Sequence, residues 1–231
     1  EISGIQGRRQ QNLSPGLMSH YLIIGSGLIG RLTAWRLIRA GYQVTLLSKD
    51  DKTGSDSAGF VAASMVAPLT EAVTAEPLVK TIGMRSYQLW PKWLSELEAP
   101  VFYQNEGTLV VAHQGDKAEM ERFDRRAKHV LAASDYAQLD KAALSLREPE
   151  LAERFDQAMW FEKESCIDNR QLYQQLTSFL ELHANWVITD EIGELNSTEI
   201  EKLTQRYLQC SAESFDVVLD CRGNGGKANL A

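Results

Sequence analysis

Six consecutive residues, Gly25-Ser26-Gly27-Leu28-Ile29-Gly30, have the types and spacing to grip a phosphate with backbone alone. In a G-x-G-x-x-G turn each glycine has a separate task. Gly25 permits a tight turn out of a strand. Gly27 has no side chain to hold a pyrophosphate away, and Gly30 lets the following helix pack close to the sheet. Leu28 and Ile29 open that helix, whose unpaired N–H groups and positive dipole end favour a phosphate anion. The pattern alone also fits a plain glycine turn of an α/β domain, so its weight rests on the elements around it.

Those elements have the required order. His20 to Ile24 is a short apolar run of the kind buried in a parallel sheet. From Leu28, apolar residues recur at Leu32, Trp35 and Ile38, which is helical spacing, and Gly41 follows as a C-terminal cap. Gln43 to Leu47 reads as a second strand. Strand, glycine turn, helix and strand make a βαβ unit of ordinary size, so an α/β fold is expected.

Further along, Ala58–Ala67 reads as a short helix ended by Pro68, and Glu76–Glu98 as helical, with a kink or restart at Pro91. Gly107–Ala112 is a β run, Asp116–Ala133 a charged amphipathic helix, and Ala158–Phe161 another strand. A helix is expected over Asn169–His183 and strands over Trp186–Leu195, Arg206–Cys210 and Phe215–Leu219. The early βαβ unit needs late strands to complete its sheet. Residues 18–75 and 166–231 are therefore expected to form one domain, with 76–165 inserted as a second, partial one. Residues 1–17 lack apolar periodicity and read as a leader or expression remnant ahead of Met18.

One position departs from the dinucleotide pattern. The second strand should end in a carboxylate that holds the ribose hydroxyls. Here Ser48 takes that place, followed by Lys49, Asp50 and Asp51. A serine hydroxyl is a weaker partner than a carboxylate, and Lys49 would suit the 2′-phosphate of NADP. The run Gly59-Phe60-Val61-Ala62-Ala63-Ser64-Met65-Val66-Ala67-Pro68 favours a flavin, because small residues let a backbone lie against a flat ring; an ordinary buried helix has the same composition.

The order of these features resembles the FAD-dependent D-amino-acid oxidase superfamily, and within it the glycine oxidase branch. The resemblance extends from residue 20 to about 226. It takes in the Gly25–Gly30 turn, Met65-Val66-Ala67-Pro68, Trp90-Pro91, Gly107-Thr108-Leu109-Val110-Val111-Ala112, Asp168-Asn169-Arg170-Gln171-Leu172, and a last apolar strand reaching Gly223. It implies a Rossmann-like FAD-binding domain with an inserted α+β substrate domain. Ala62, Ala63, Ser64 and Met65 would line the isoalloxazine and ribityl chain. The backbone near Ile192 would meet the adenine, and Gly223 would pass close to the adenosine half. Where the family reads Ala-Ala-Gly, this chain has Cys221-Arg222-Gly223, with Asp220 before it. Arg222 reads either as a cofactor contact or as a surface ion pair. The family also has a further carboxy-terminal portion that supplies the arginine for the substrate carboxylate. The fold is thus expected to be incomplete here, and no catalytic residue is carried over.

Composition narrows the field. The net charge of −7 disfavours nucleic acid and anionic membranes, and no apolar run approaches the ~20 residues that span a bilayer. The three cysteines, Cys166, Cys210 and Cys221, are far apart and form no metal pattern, which suits reduced thiols and a cytoplasmic location. The four histidines, His20, His113, His129 and His183, are scattered. The expected activity is oxidation of a small amino acid or amine by hydride transfer to FAD. One alternative is a flavoprotein that modifies a partner protein during tryptophylquinone biogenesis; another is a cofactor-free binding fragment.

Overall fold

The computed structural model describes residues 19–189, 192 and 195–223. They divide into two compact units, one running to Ser57 and resuming at Leu176, the other spanning Ala58–Gln175.

The first unit begins with β1 (His20–Ile24), α1 (Leu28–Arg39) and β2 (Gln43–Ser48), the βαβ unit expected from the glycine spacing. The second unit follows with α2 (Ala58–Val61), β3 (Met65–Val66), α3 (Pro68–Ala72), α4 (Pro77–Ser95), β4 (Tyr103–Gln104) and β5 (Thr108–Val110). Then come α5 (Lys117–Val130), β6 (Ala137–Asp140), α6 (Lys141–Arg147), α7 (Pro149–Ala152), β7 (Gln157–Phe161) and β8 (Ser165–Ile167). Helix α8 (Asn169–His183) crosses the boundary, and β9 (Asn185–Ile188), α9 (Ser197–Leu203) and β10 (Val217–Asp220) complete the first unit.

Among the described residues, the first unit holds a four-stranded sheet in the order β10-β1-β2-β9, parallel throughout. Alternation along the strands buries both faces, as a parallel sheet requires. Leu22, Ile24 and Leu47 pack with Leu203 and Phe215 on one side. Ile23, Leu46 and Val44 pack with Ala34 and Leu180 on the other. The second unit contains two antiparallel three-stranded sheets, β3-β8-β4 and β5-β7-β6. One of its cores joins Leu69, Met120, Met159 and Phe161.

Several local expectations are corrected. Residues 58–67 are not one helix: α2 ends at Val61 and a short strand follows. Pro68 starts α3 instead of ending a helix, because the first helical position has no use for an N–H. Helix α4, as expected, continues past Pro91, whose missing N–H is too little to end it. The strand expected at Arg206–Cys210 is a wide helical turn, Thr204–Leu208, continuing α9 and stopped by Gln209 in the left-handed region at φ 55°. The strand expected over Trp186–Leu195 ends at Ile188; Asp190, Glu191, Gly193 and Glu194 lie outside the described residues. So do residues 1–18 and 224–231, including the expected leader. By packing, the second unit takes in residues 58–75 and 166–175.

Candidate functional site

The glycine turn has the geometry of an anion cradle. Gly25 sits at φ 105°, and a Cβ there would meet Cys221 backbone at 2.8 Å. A Cβ on Gly30 would stand 1.9 Å from the Gly25 carbonyl oxygen. Gly27 is different: an added Cβ would have no atom within 4 Å. Two glycines are thus demanded by the fold and the third faces open space. Gly27 is also the N-cap of α1 and makes no side-chain cap, and the first turn carries no acidic residue. The first N–H groups, those of Leu28 and Ile29 among them, are left for an outside acceptor. Ile29 is 65% exposed, and the buried Ser26 hydroxyl has no hydrogen-bond partner among the described residues. An open backbone cradle beside an orphaned hydroxyl fits the pyrophosphate of a dinucleotide.

A buried cation underlies this turn. Arg31 is fully buried on α1. Its Nε donates to the Ser26 carbonyl at 2.7 Å, and its Nη1 donates to the Lys52 carbonyl at 3.1 Å and to the Thr177 hydroxyl. The guanidinium lies 4.9 Å from the Trp186 ring centroid. Arg31 therefore ties the glycine turn to the loop after β2. The sequence did not reveal this. The available signal was a charged residue one helical turn before Trp35, on the face that must meet the sheet.

Ser48 does end β2, but it is fully buried. Its hydroxyl donates to the Asp50 carbonyl and accepts from Trp186 Nε1, both at 3.1 Å. Its single proton is committed, so it can only accept from a further partner. Lys49 is exposed. Ile192 packs its side chain into the core beside Leu22 and Leu47. At the other edge of the sheet, Cys221 N–H donates to the Ile24 carbonyl at 2.8 Å, and burial pushes its thiol up. Arg222 forms two side-chain bonds to Asp220, at 2.8 and 2.7 Å. That pair holds the Asp220 carboxyl below its ordinary value. Gly223 follows at φ 58° with open space where a Cβ would be.

In the second unit, the small-residue run is exposed. Ala62 and Ala63 face solvent, as do Val61 at 70% and Met65 at 55%. Ser64 has φ 67°, a left-handed conformation that costs a non-glycine residue energy. Buried Glu164 braces the end of the run: it accepts from Leu69 N–H at 3.0 Å, Thr70 N–H at 2.6 Å and the Thr70 hydroxyl at 3.1 Å. Burial still pushes its carboxyl up. Beside Met65 opens a cavity of about 740 Å³ lined by Gln104, Glu106, Arg147, Glu148, Trp160 and Cys166, among others. The Arg147 guanidinium lies 4.2 Å from the Trp160 ring centroid. Among the described residues no group of three His, Cys, Asp or Glu is placed to hold a metal, and no helix is long and apolar enough to cross a membrane.

A Rhizobium etli protein that bears the name of the thiamine biosynthesis oxidoreductase ThiO is 37% identical over 160 residues, covering 69% of this chain and 45% of its own length. A D-amino acid dehydrogenase of Ralstonia nicotianae is 29% identical over 58% of this chain and 30% of its own. The solved glycine oxidase of Geobacillus kaustophilus superposes with a TM-score of 0.61 at 20% identity, over 80% of this chain and 50% of that one. The chain spans about half the length of these relatives, or less. Residues 20–230 match the family described as FAD dependent oxidoreductase, so that from the first strand onward the chain belongs to that family.

Proposed function

We propose that the protein oxidises a small amino acid or amine with FAD as its hydride acceptor. The observation that carries this reading is Gly27, a glycine that faces open space at the uncapped start of α1. There the Leu28 and Ile29 N–H groups would hold the pyrophosphate. Gly223 would leave room for the adenosine half, and the backbone near Ile192 would approach the adenine. The ribose would be met at the end of β2, with Ser48 as an acceptor and Lys49 beside it. Cys221 and Arg222 would flank the adenosine as part of the wall, Arg222 being oriented by Asp220. Ala62, Ala63, Ser64 and Met65 would lie against the ring system. By function, then, the cofactor domain is residues 18–75 and 166–231, although residues 58–75 and 166–175 pack with the second unit.

Bound FAD supplies the redox chemistry, and the protein binds, orients and excludes water. The cavity beside Met65 offers both signs of charge, Arg147 with Glu106 and Glu148, which suits a zwitterionic substrate. The names of the relatives point the same way: glycine oxidase, D-amino acid dehydrogenase and iminodiacetate oxidase all act on amino-bearing acids. The test is an absorption spectrum of the full-length gene product, followed by a screen of small amino acids and amines for flavin reduction and peroxide release. A yellow protein reduced by such a substrate is expected. A colourless protein overturns the reading, and reduction only in the presence of a partner protein redirects it to a protein substrate.

A further inference from the structure

The run Gly59–Met65 leaves the one-turn helix α2 at Val61 and reaches β3 at Met65. Its exposed side chains are small or unsupported, and Ser64 sits in the left-handed region. What holds it is the start of α8. The Nδ2 atom of Asn169 lies 2.7 Å from the Gly59 carbonyl oxygen, 2.8 Å from that of Phe60 and 3.0 Å from that of Ala62. An amide nitrogen has two protons, so three carbonyls share them in a three-centre arrangement. The neighbouring residues extend the grip. Ile167 N–H donates to the Ser64 carbonyl at 3.0 Å, and Cys166 pairs with Met65 between β8 and β3. The Phe60 ring meets Tyr173 edge-on at 5.7 Å, and the Arg170 guanidinium lies 5.7 Å from the same ring. Asn169 is the one of these that reaches three carbonyls of the run through a single atom.

We propose that Asn169 is a positioning residue for the flavin: by drawing the Gly59, Phe60 and Ala62 carbonyls inward it fixes the run whose outer side receives the isoalloxazine. This rests on the flavin reading above. The role is electrostatic, since the clamp needs donors. Asn169→Asp keeps the shape but faces three carbonyl oxygens with a carboxylate, so it must be at least as damaging as Asn169→Ala. A role in packing alone predicts the opposite order, with the isosteric variant nearly wild type.

The experiment uses the full-length protein and the Asn169→Asp, Asn169→Ala and Asn169→Ser variants. Three quantities are read: the visible circular dichroism of bound FAD, the FAD dissociation constant, and hydrogen exchange of residues 58–66 in the FAD-free protein. Faster exchange confined to that run is expected, with an altered flavin band and roughly tenfold or greater loss of FAD affinity in the Asp and Ala variants. Asn169→Ser, with one donor, should fall between. If Asn169→Asp does not fold, the Ser variant decides: an intermediate flavin band supports the role and a wild-type band overturns it. Wild-type exchange and a wild-type band in Asn169→Asp overturn it as well. Faster exchange with an unchanged flavin band also overturns the positioning role while leaving FAD binding intact. A wild-type protein that takes up no FAD overturns the flavin reading itself, and the positioning role with it.

Discussion

The glycine turn of the first unit and the small-residue run of the second are built in opposite ways. The turn is held by backbone: Gly25 and Gly30 pack so tightly that neither has room for a methyl group. Its shape follows from what is missing on those residues. The run is held by long-range side chains, Asn169 at one end and Glu164 at the other. Its shape is borrowed from residues about a hundred positions away in sequence. The first kind of site is readable as a local motif, and the second is not.

Substitutions can sharpen this contrast. The largest effect is expected at Gly30. In Gly30→Ala the new methyl would overlap the Gly25 carbonyl, and overpacking against backbone costs about 3 kcal/mol or more. Thermal unfolding should show the first unit lost; a wild-type melting temperature would mean that the turn can relax. Next comes Glu164. Glu164→Ala leaves the Leu69 and Thr70 N–H groups without their acceptor, at about 1–3 kcal/mol for such a buried donor. Glu164→Gln keeps an acceptor and should lose about 1 kcal/mol or less by denaturant titration.

The same residue sets a pH test. Burial raises the Glu164 pKa in the folded protein. Its contribution to stability is therefore fully present below the ordinary glutamate value and is lost as pH rises through the raised one. Wild-type stability should decline across that window, and the Glu164→Gln variant should lack this part of the decline. Equal pH profiles would remove Glu164 as a pH-sensitive brace.

Gly27→Ala should separate folding from binding within a single turn. Nothing among the described residues meets the new methyl, so the melting temperature should stay near wild type. FAD affinity should fall roughly ten- to a hundredfold, the equivalent of about 1–3 kcal/mol of overpacking against the pyrophosphate. Unchanged affinity would count against the cradle. The smallest effect is expected at Ser48. Ser48→Ala removes the acceptor of Trp186 Nε1, which should cost about 1 kcal/mol in denaturant titration. A larger loss of FAD affinity than of stability would show that the hydroxyl also meets the ribose.

Legibility followed the same divide. The βαβ unit was readable because its period, its glycines and its strand lengths agree. Helix α8 was readable from apolar spacing at Leu172, Leu176 and Leu180, all of them buried. The errors fell where a residue type has two uses. Pro68 can end a helix or begin one, and the short run Arg206–Cys210 suits a strand by composition but continues a helix. Short strands such as β3 and β4 are two residues each and are defined by their partners on β8, which no local window contains. Arg31 looked like an ordinary helical charge, and only its tertiary neighbours make it a buried tie between two loops. Ser48 shows the reverse. Its position was read correctly, but its hydroxyl is occupied by Asp50 and Trp186.

The order β10-β1-β2-β9 has a consequence for how the protein is made. Strand β1 gains β2 at once, but its other edge waits for β10, and the His20 N–H finds the Asp216 carboxylate across 196 residues of chain. At roughly 5–20 residues per second on the ribosome, that wait is about 10–40 s. The second unit is continuous in sequence and can collapse during the interval. Throughout that time the nascent chain exposes Leu22, Ile23 and Ile24 along an open strand edge, the kind of surface that mispairs with other chains. A chaperone that binds the nascent chain at β1 would therefore raise the yield of this protein more than one acting after release.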